Sequence, residues 1–233
     1  MGGGKARVPK WESELWGYIS RGDGVECPIF NSCRVREECN WCLAENREHL
    51  EHLLDLNEHE FDPRNYSSIE KMTPGRIFEL VEMLSQSILK GSGVDGPPVP
   101  EEIVSLVDKE REVEVRLVPL TAHHGAIWNL GDDWVIQLNE NDTPDRRRFT
   151  LFHEAFHILA HSRATPVFRK NGLETGCFNE LVADYFAVCI LMPRKWVEKK
   201  WAETKNLSQM AEIFGVTEPQ MWLRLKVLNL NNK

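Results

Sequence analysis

The segment RRRFTLFHEAFHILAH, residues 146–161, constrains this chain more than any other. His153 and His157 stand four residues apart, about one turn of a helix, so both imidazoles leave the same face and converge on one point. Glu154 is rotated by about 100° from His153 and can sit beside a water polarised by a metal without being a ligand itself. The bland reading is a pair of surface histidines on an amphipathic helix. Against it, Leu151, Phe152, Ala155, Phe156, Ile158 and Leu159 surround the motif and predict a substantially buried helix, where histidines need partners.

A catalytic zinc takes three protein ligands and leaves a fourth position open, so the pattern demands another donor downstream. NELVADYFAVCILMP supplies it: Glu180 and Asp184 are again four residues apart on a strongly apolar helix, and buried carboxylates are costly unless they meet a cation or a donor. Glu180 reads as the third ligand. Asp184, one turn on, is placed to accept the free ring N–H of a ligating histidine. His161 competes for the ligand role, because it shares the face of His153 and His157, but one straight helix wraps three turns around a single ion poorly; a hydrogen-bonding or structural role is favoured. Cys177 reads as a small buried residue, with ligation as the alternative. Tyr185, His161, His123 and His124 are unranked candidates for an oxyanion donor, and for His123 and His124 a plain surface role is preferred.

At 233 residues the chain has room for one sizeable core with small appendages. Thr73-Pro74 offers a helix start, and Ile77, Leu80, Val81, Leu84 and Ile88 repeat at helical spacing until Gly91. The linker GSGVDGPPVP follows, then a second helix from Pro100 to Lys109. EVEVRLVPL, GAIWNL and DWVIQLN, the last two flanking a Gly131-Asp132 turn, predict a small antiparallel sheet. Two longer helices are expected around 144–161 and 177–192, with Pro193 closing the second. The fold class is therefore α+β, a small antiparallel sheet packed against the helices that carry the metal pattern.

The ends differ in kind. Cys27, Cys33, Cys39 and Cys42 crowd together and include one tight C-x-x-C, a natural bite on a tetrahedral ion. They suit a structural zinc, with an iron–sulfur cluster as the sharper alternative and reduced, unligated thiols as the lesser one. A charged, helical run with Leu50, Leu53, Leu54 and Leu56 on a narrow stripe follows them. Near the other end, LSQMAEIFGVTEPQMWLRLKVLNL reads as two helices joined at Gly215, with Thr217 and Gln220 as a capping box, which resembles a helix-turn-helix. A plain helical hairpin packed on the core is preferred, since the second helix offers only Arg224 and Lys226 as clear cations. The formal charge of −8 argues against non-specific coating of nucleic acid, direct DNA binding stays open, and no apolar stretch is long enough to span a bilayer. The first residues, MGGGKARVPK, lack the apolar core of a secretory signal, and with the clustered cysteines they predict a reducing, cytoplasmic setting.

Taken together, GPPVP at 96–100, RRRFTLFHEAFHILAH at 146–161 and ELVADYFAVCILMP at 180–193 resemble the ImmA/IrrE family of metallopeptidases, in the order and spacing of that family. The resemblance covers roughly residues 74–195. It implies a gluzincin-like zinc site, NELVAD being similar to the Asn-Glu-x-x-x-Asp signature of thermolysin-type enzymes. It also implies a protein substrate, a DNA-binding helix-turn-helix repressor whose cleavage switches on stress-response or mobile-element genes. The organisation so read is a Cys-rich module at 1–65, an ImmA/IrrE-like metallopeptidase domain at 66–198 and a helix-turn-helix-like hairpin at 199–233. The expected function is a zinc-dependent endopeptidase in which His153, His157 and Glu180 hold the metal and Glu154 moves the proton. The alternative is a non-hydrolytic DNA- or repressor-binding regulator with structural or sensory metal sites, which would not require Glu154.

Overall fold

A computed structural model of the chain describes residues 74–121, 123–130, 132–163 and 176–230, and at 74, 75, 77, 161–163 and 176–181 the backbone alone. The N-terminal expectations, the module at 1–65 with Cys27, Cys33, Cys39 and Cys42 and the leucine stripe behind it, lie outside these residues.

Helix α1 spans Pro74–Ser92 and opens on proline, whose missing N–H is no loss in a first turn. Leu80, Val81, Leu84 and Leu89 are buried along it. It outlasts Gly91 and stops where Gly93 takes φ +74°, a left-handed backbone that glycine adopts without strain. The expected helix at 100–109 is instead a short 3-10 helix, Glu101–Leu106. Asp108 explains the difference. Its Oδ1 accepts from Glu110 N at 2.9 Å and its Oδ2 accepts from the Trp134 indole at 3.0 Å, so the chain turns there to serve the side chain rather than the helix.

Strands β1 (Glu112–Val118), β2 (Gly125–Asn129) and β3 (Asp133–Asn139) form one sheet in the order β1-β3-β2. β2 and β3 are an antiparallel hairpin, but β1 runs parallel to β3, with Val115 opposite Ile136, so the wholly antiparallel sheet expected from the sequence is corrected to a mixed one. The physical reason is the 119–124 connection, which carries the chain past the end of β3. It is held there by Asn139, whose Nδ2 donates to Leu120 O at 2.9 Å while its N donates to His124 O at 2.9 Å. Trp134, Ile136 and Leu138 of β3 are buried on one face, as the central strand of a covered sheet should be.

Helix α2 (Pro144–Arg163) lies against this sheet and against α3 (Gly176–Leu191), and α1 packs on α3 from its other side. On α2 the residues Phe149, Leu151, Phe152, Ala155, Phe156, Ile158 and Leu159 are buried, and on α3 Val182 to Met192 are buried almost without a break apart from Tyr185. A helix apolar all round has to be the centre of a domain. Phe156 and Phe186 meet across the two helices with ring centroids 5.4 Å apart.

Three shorter helices complete the described chain: α4 (Arg194–Thr204), α5 (Leu207–Phe214) and α6 (Glu218–Val227). The hairpin α5–α6 turns at Gly215, φ +61°, and α6 begins with the expected capping box: Thr217 Oγ1 accepts from Gln220 N and Gln220 Oε1 accepts from Thr217 N. Its inward side belongs to the core. Met210, Phe214, Met221 and Leu225 are buried, and Gly215 faces the guanidinium of Arg148 on α2. Among the described residues no helix is long and apolar enough to cross a membrane.

Candidate metal centre

The helical spacing of His153 and His157 does what it must: their rings stand edge to face, with centroids 4.9 Å apart and their Nε2 atoms 3.1 Å apart. The other nitrogen of His153, Nδ1, lies 2.6 Å from Oδ1 of Asp184 on α3. Asp184 is 1 % exposed and an ionised carboxylate only accepts, so the proton sits on Nδ1 and the Nε2 lone pair of His153 is turned toward His157. Two imidazole nitrogens facing each other at this distance need a shared proton or a cation between them. Zinc fits: two zinc–nitrogen bonds of about 2.0–2.1 Å at a tetrahedral angle span roughly 3.3 Å.

Of the expected ligand set, the structure therefore brings His153 and His157 together and adds Asp184 behind His153. Glu180 lies on α3 four residues before Asp184, and its side chain, like those of His161 and Cys177, is outside the described ones. Among the described residues no group of three or more His, Cys, Asp or Glu side chains is arranged to hold a metal.

Glu154 leaves α2 beside His153, half-buried, and lies against the start of β2. A Cβ at Gly125 would stand 2.8 Å from its Oε1 and 3.2 Å from its Cγ. One residue earlier, His124 is fixed in a polar chain: Nδ1 is 2.9 Å from Asp142 Oδ2 and Nε2 is 2.6 Å from Arg146 Nη2. Arg146 can only donate here, so His124 Nε2 accepts from it, while Nδ1 faces the Asp142 carboxylate. His123 is exposed, as its surface reading requires.

Two candidates from the sequence change meaning. Tyr185 is engaged elsewhere: its ring packs on Phe78 at 4.6 Å, and burial, reinforced by Cys189, pushes its phenol above the ordinary range. It is not placed as an oxyanion donor. Arg224, read as one of two clear cations on the second hairpin helix, is 0 % exposed; its Nε donates to Met192 O at 2.9 Å and its Nη2 to Glu82 Oε1 at 2.9 Å. It crosses from α6 to the end of α3 and to α1, and Arg194 approaches the same Glu82 oxygen at 3.4 Å. Neither Gly125 nor this buried cluster stood out in the sequence. A glycine opening a strand was the available signal for the first.

The sequence profile of the M78 peptidase family, described as the IrrE N-terminal-like domain, matches residues 109–226. No curated protein matches the chain. Among solved structures, a Mycobacterium tuberculosis transcriptional regulator is similar with a TM-score of 0.52 and 16 % identity, over 76 % of this chain and 51 % of that one. The chain thus spans about half the length of that regulator, and at this identity the two share a fold.

Proposed function

Since the chain belongs to the ImmA/IrrE family by its IrrE N-terminal-like domain, we propose that it is a zinc-dependent endopeptidase, with His153, His157 and Glu180 as metal ligands and Glu154 as the proton-transferring group. The observation that carries this reading is the Asp184–His153–His157 arrangement, two imidazoles aimed at one point with one of them oriented by a buried carboxylate. Zinc held there supplies Lewis acidity toward a peptide carbonyl and toward water.

The chain's own residues do the rest. Glu154 takes a proton from the attacking water and returns it to the leaving amine. Asp184 keeps Nδ1 of His153 protonated and its ring fixed, which leaves Nε2 as the donor atom. β2 is an edge strand whose first residue touches Glu154, so an extended substrate segment pairing along it would pass beside the general base. Cleavage of a DNA-binding repressor in a stress-response or mobile-element switch is the substrate reading that membership of this family suggests, and a cytoplasmic setting goes with it.

The test compares zinc-loaded wild type with Glu154→Gln on a quenched-fluorescent peptide library. The expected result is turnover by the wild type and at least about a hundred-fold less by the variant, at equal zinc content. Zinc binding with no hydrolysis by either protein would leave the non-hydrolytic regulator as the function. Direct DNA contact by the α5–α6 hairpin has lost its best cation, because Arg224 points inward.

A further inference from the structure

Gly125 and Glu154 meet where the edge strand begins. A Cβ at Gly125 would stand 2.5 Å from Thr150 Cγ2, 2.8 Å from Glu154 Oε1 and 3.2 Å from Glu154 Cγ. Thr150 and Glu154 are four residues apart on α2, so they form one stacked surface on the helix, and the bare backbone of Gly125 is what that surface lies against.

The collision cannot be relieved on the strand side. Gly125 is paired with Leu138 in the β2–β3 ladder, and Asn139 N donates to the carbonyl of His124 immediately before it. The His124 ring is itself held between Asp142 and Arg146. Nor can α2 withdraw, because Phe152, Ala155, Phe156 and Leu159 are at most 2 % exposed on its packed faces. The side-chain atoms an added methyl would meet are those of the Glu154 carboxylate arm and the methyl of Thr150.

We propose that Gly125 is a positioning residue for Glu154: the missing side chain at the start of β2 is the space that sets where the Glu154 carboxylate stands. The inference rests on Glu154 being the proton-transferring group of the reading above. It assigns a role to a residue that has no side chain of its own. The three atoms nearest an added methyl at position 125 belong to Thr150 and Glu154, so it displaces the carboxylate while His153, His157 and Asp184 keep their arrangement.

The experiment uses the full chain, zinc-loaded, as wild type, Gly125→Ala, Thr150→Ser and the double variant. Zinc per chain is measured by mass spectrometry, kcat and KM on one quenched-fluorescent peptide that the wild type cleaves, and the Glu154 carboxylate is located by crystallography. Misplacement of a reacting group by about 1 Å is enough for a large rate loss. The expected result for Gly125→Ala is wild-type zinc content, KM within about twofold and kcat at least about tenfold lower, with the carboxylate displaced. The double variant removes the Thr150 methyl contact but not the Glu154 contact, so its kcat stays low; it carries the measurement if Gly125→Ala alone does not fold. Wild-type kcat in Gly125→Ala, full recovery in the double variant, or loss of zinc in step with activity would each overturn the proposal. A wild type that cleaves no peptide ends the endopeptidase reading, and the position of Glu154 in the crystals then decides this one separately.

Discussion

Asp184, on the central helix α3, holds His153 Nδ1 at 2.6 Å from a carboxylate that is 1 % exposed. A buried anion in that place raises the basicity of the opposite ring nitrogen and fixes the direction of its lone pair. Replacing it by Asn keeps the shape and removes the charge. Asp184→Asn is expected to weaken zinc binding about 10- to 100-fold, read by competition against a chromophoric chelator. Unchanged affinity would mean that His153 does not bind metal through Nε2.

Glu180→Ala tests the third ligand. Zinc bound per chain should fall by one relative to wild type, with the fold retained by circular dichroism. If the variant keeps its full complement, the third donor is His161 or Cys177 and the gluzincin-like assignment goes.

Arg224 ties α6 to Met192 at the end of α3 and to Glu82 on α1. Its removal leaves the buried Met192 carbonyl without this donor and Glu82 with Arg194 as its remaining described cation, so Arg224→Ala should cost about 3 kcal/mol, or roughly 10 °C in Tm for a domain of this size. Lys226→Ala, a cation stacked on the Trp222 ring at 5.2 Å near the surface, should cost about 1 kcal/mol or less. Equal effects in calorimetry would contradict the inward placement of Arg224.

Cys189 is buried and carries a free thiol, and burial pushes that thiol up to about 11. The sign follows from which state keeps the proton. The native state holds the neutral thiol above the pH at which the unfolded chain ionises it, near 9.0, so stability contributed by this group falls as pH rises from there toward about 11. In native protein at pH 8, peptide mapping after iodoacetamide treatment should find Cys189 unmodified, and alkylation should appear only on unfolding. Ready alkylation in the folded protein would place the residue at the surface.

The helices that bear the centre were legible because two periods coincided. Chemistry-bearing residues at i and i+4 lay within apolar runs, so the same spacing that aimed His153 at His157 also fixed which faces of α2 and α3 were inside. The direction of β1 was not legible, since alternation in EVEVRLV tells which face a residue occupies and not whether its neighbour runs parallel. Asp108 hid in the same way: a charged residue after an apolar stretch reads as surface, yet it receives the Trp134 indole and ends the helix early. Arg224 read as a cation for a partner because its counter-ion, Glu82, is far away in the chain. The role of Glu180 as ligand and of the clustered cysteines remain readings of the sequence.

The crossing of the chain between β1 and β2 also orders events in time. β2 and β3 are close in sequence, linked by Leu130 N donating to Asp133 O, and can pair as soon as both exist, whereas β1 can only be seated on a strand that comes after β2. Pulse-labelled amide exchange during refolding should therefore find the β2–β3 amides protected before those of β1. Among the described strands the first to leave the ribosome is then the last to be built in, and until it arrives the hairpin that lies against Glu154 has one edge of its central strand open to any other strand that reaches it.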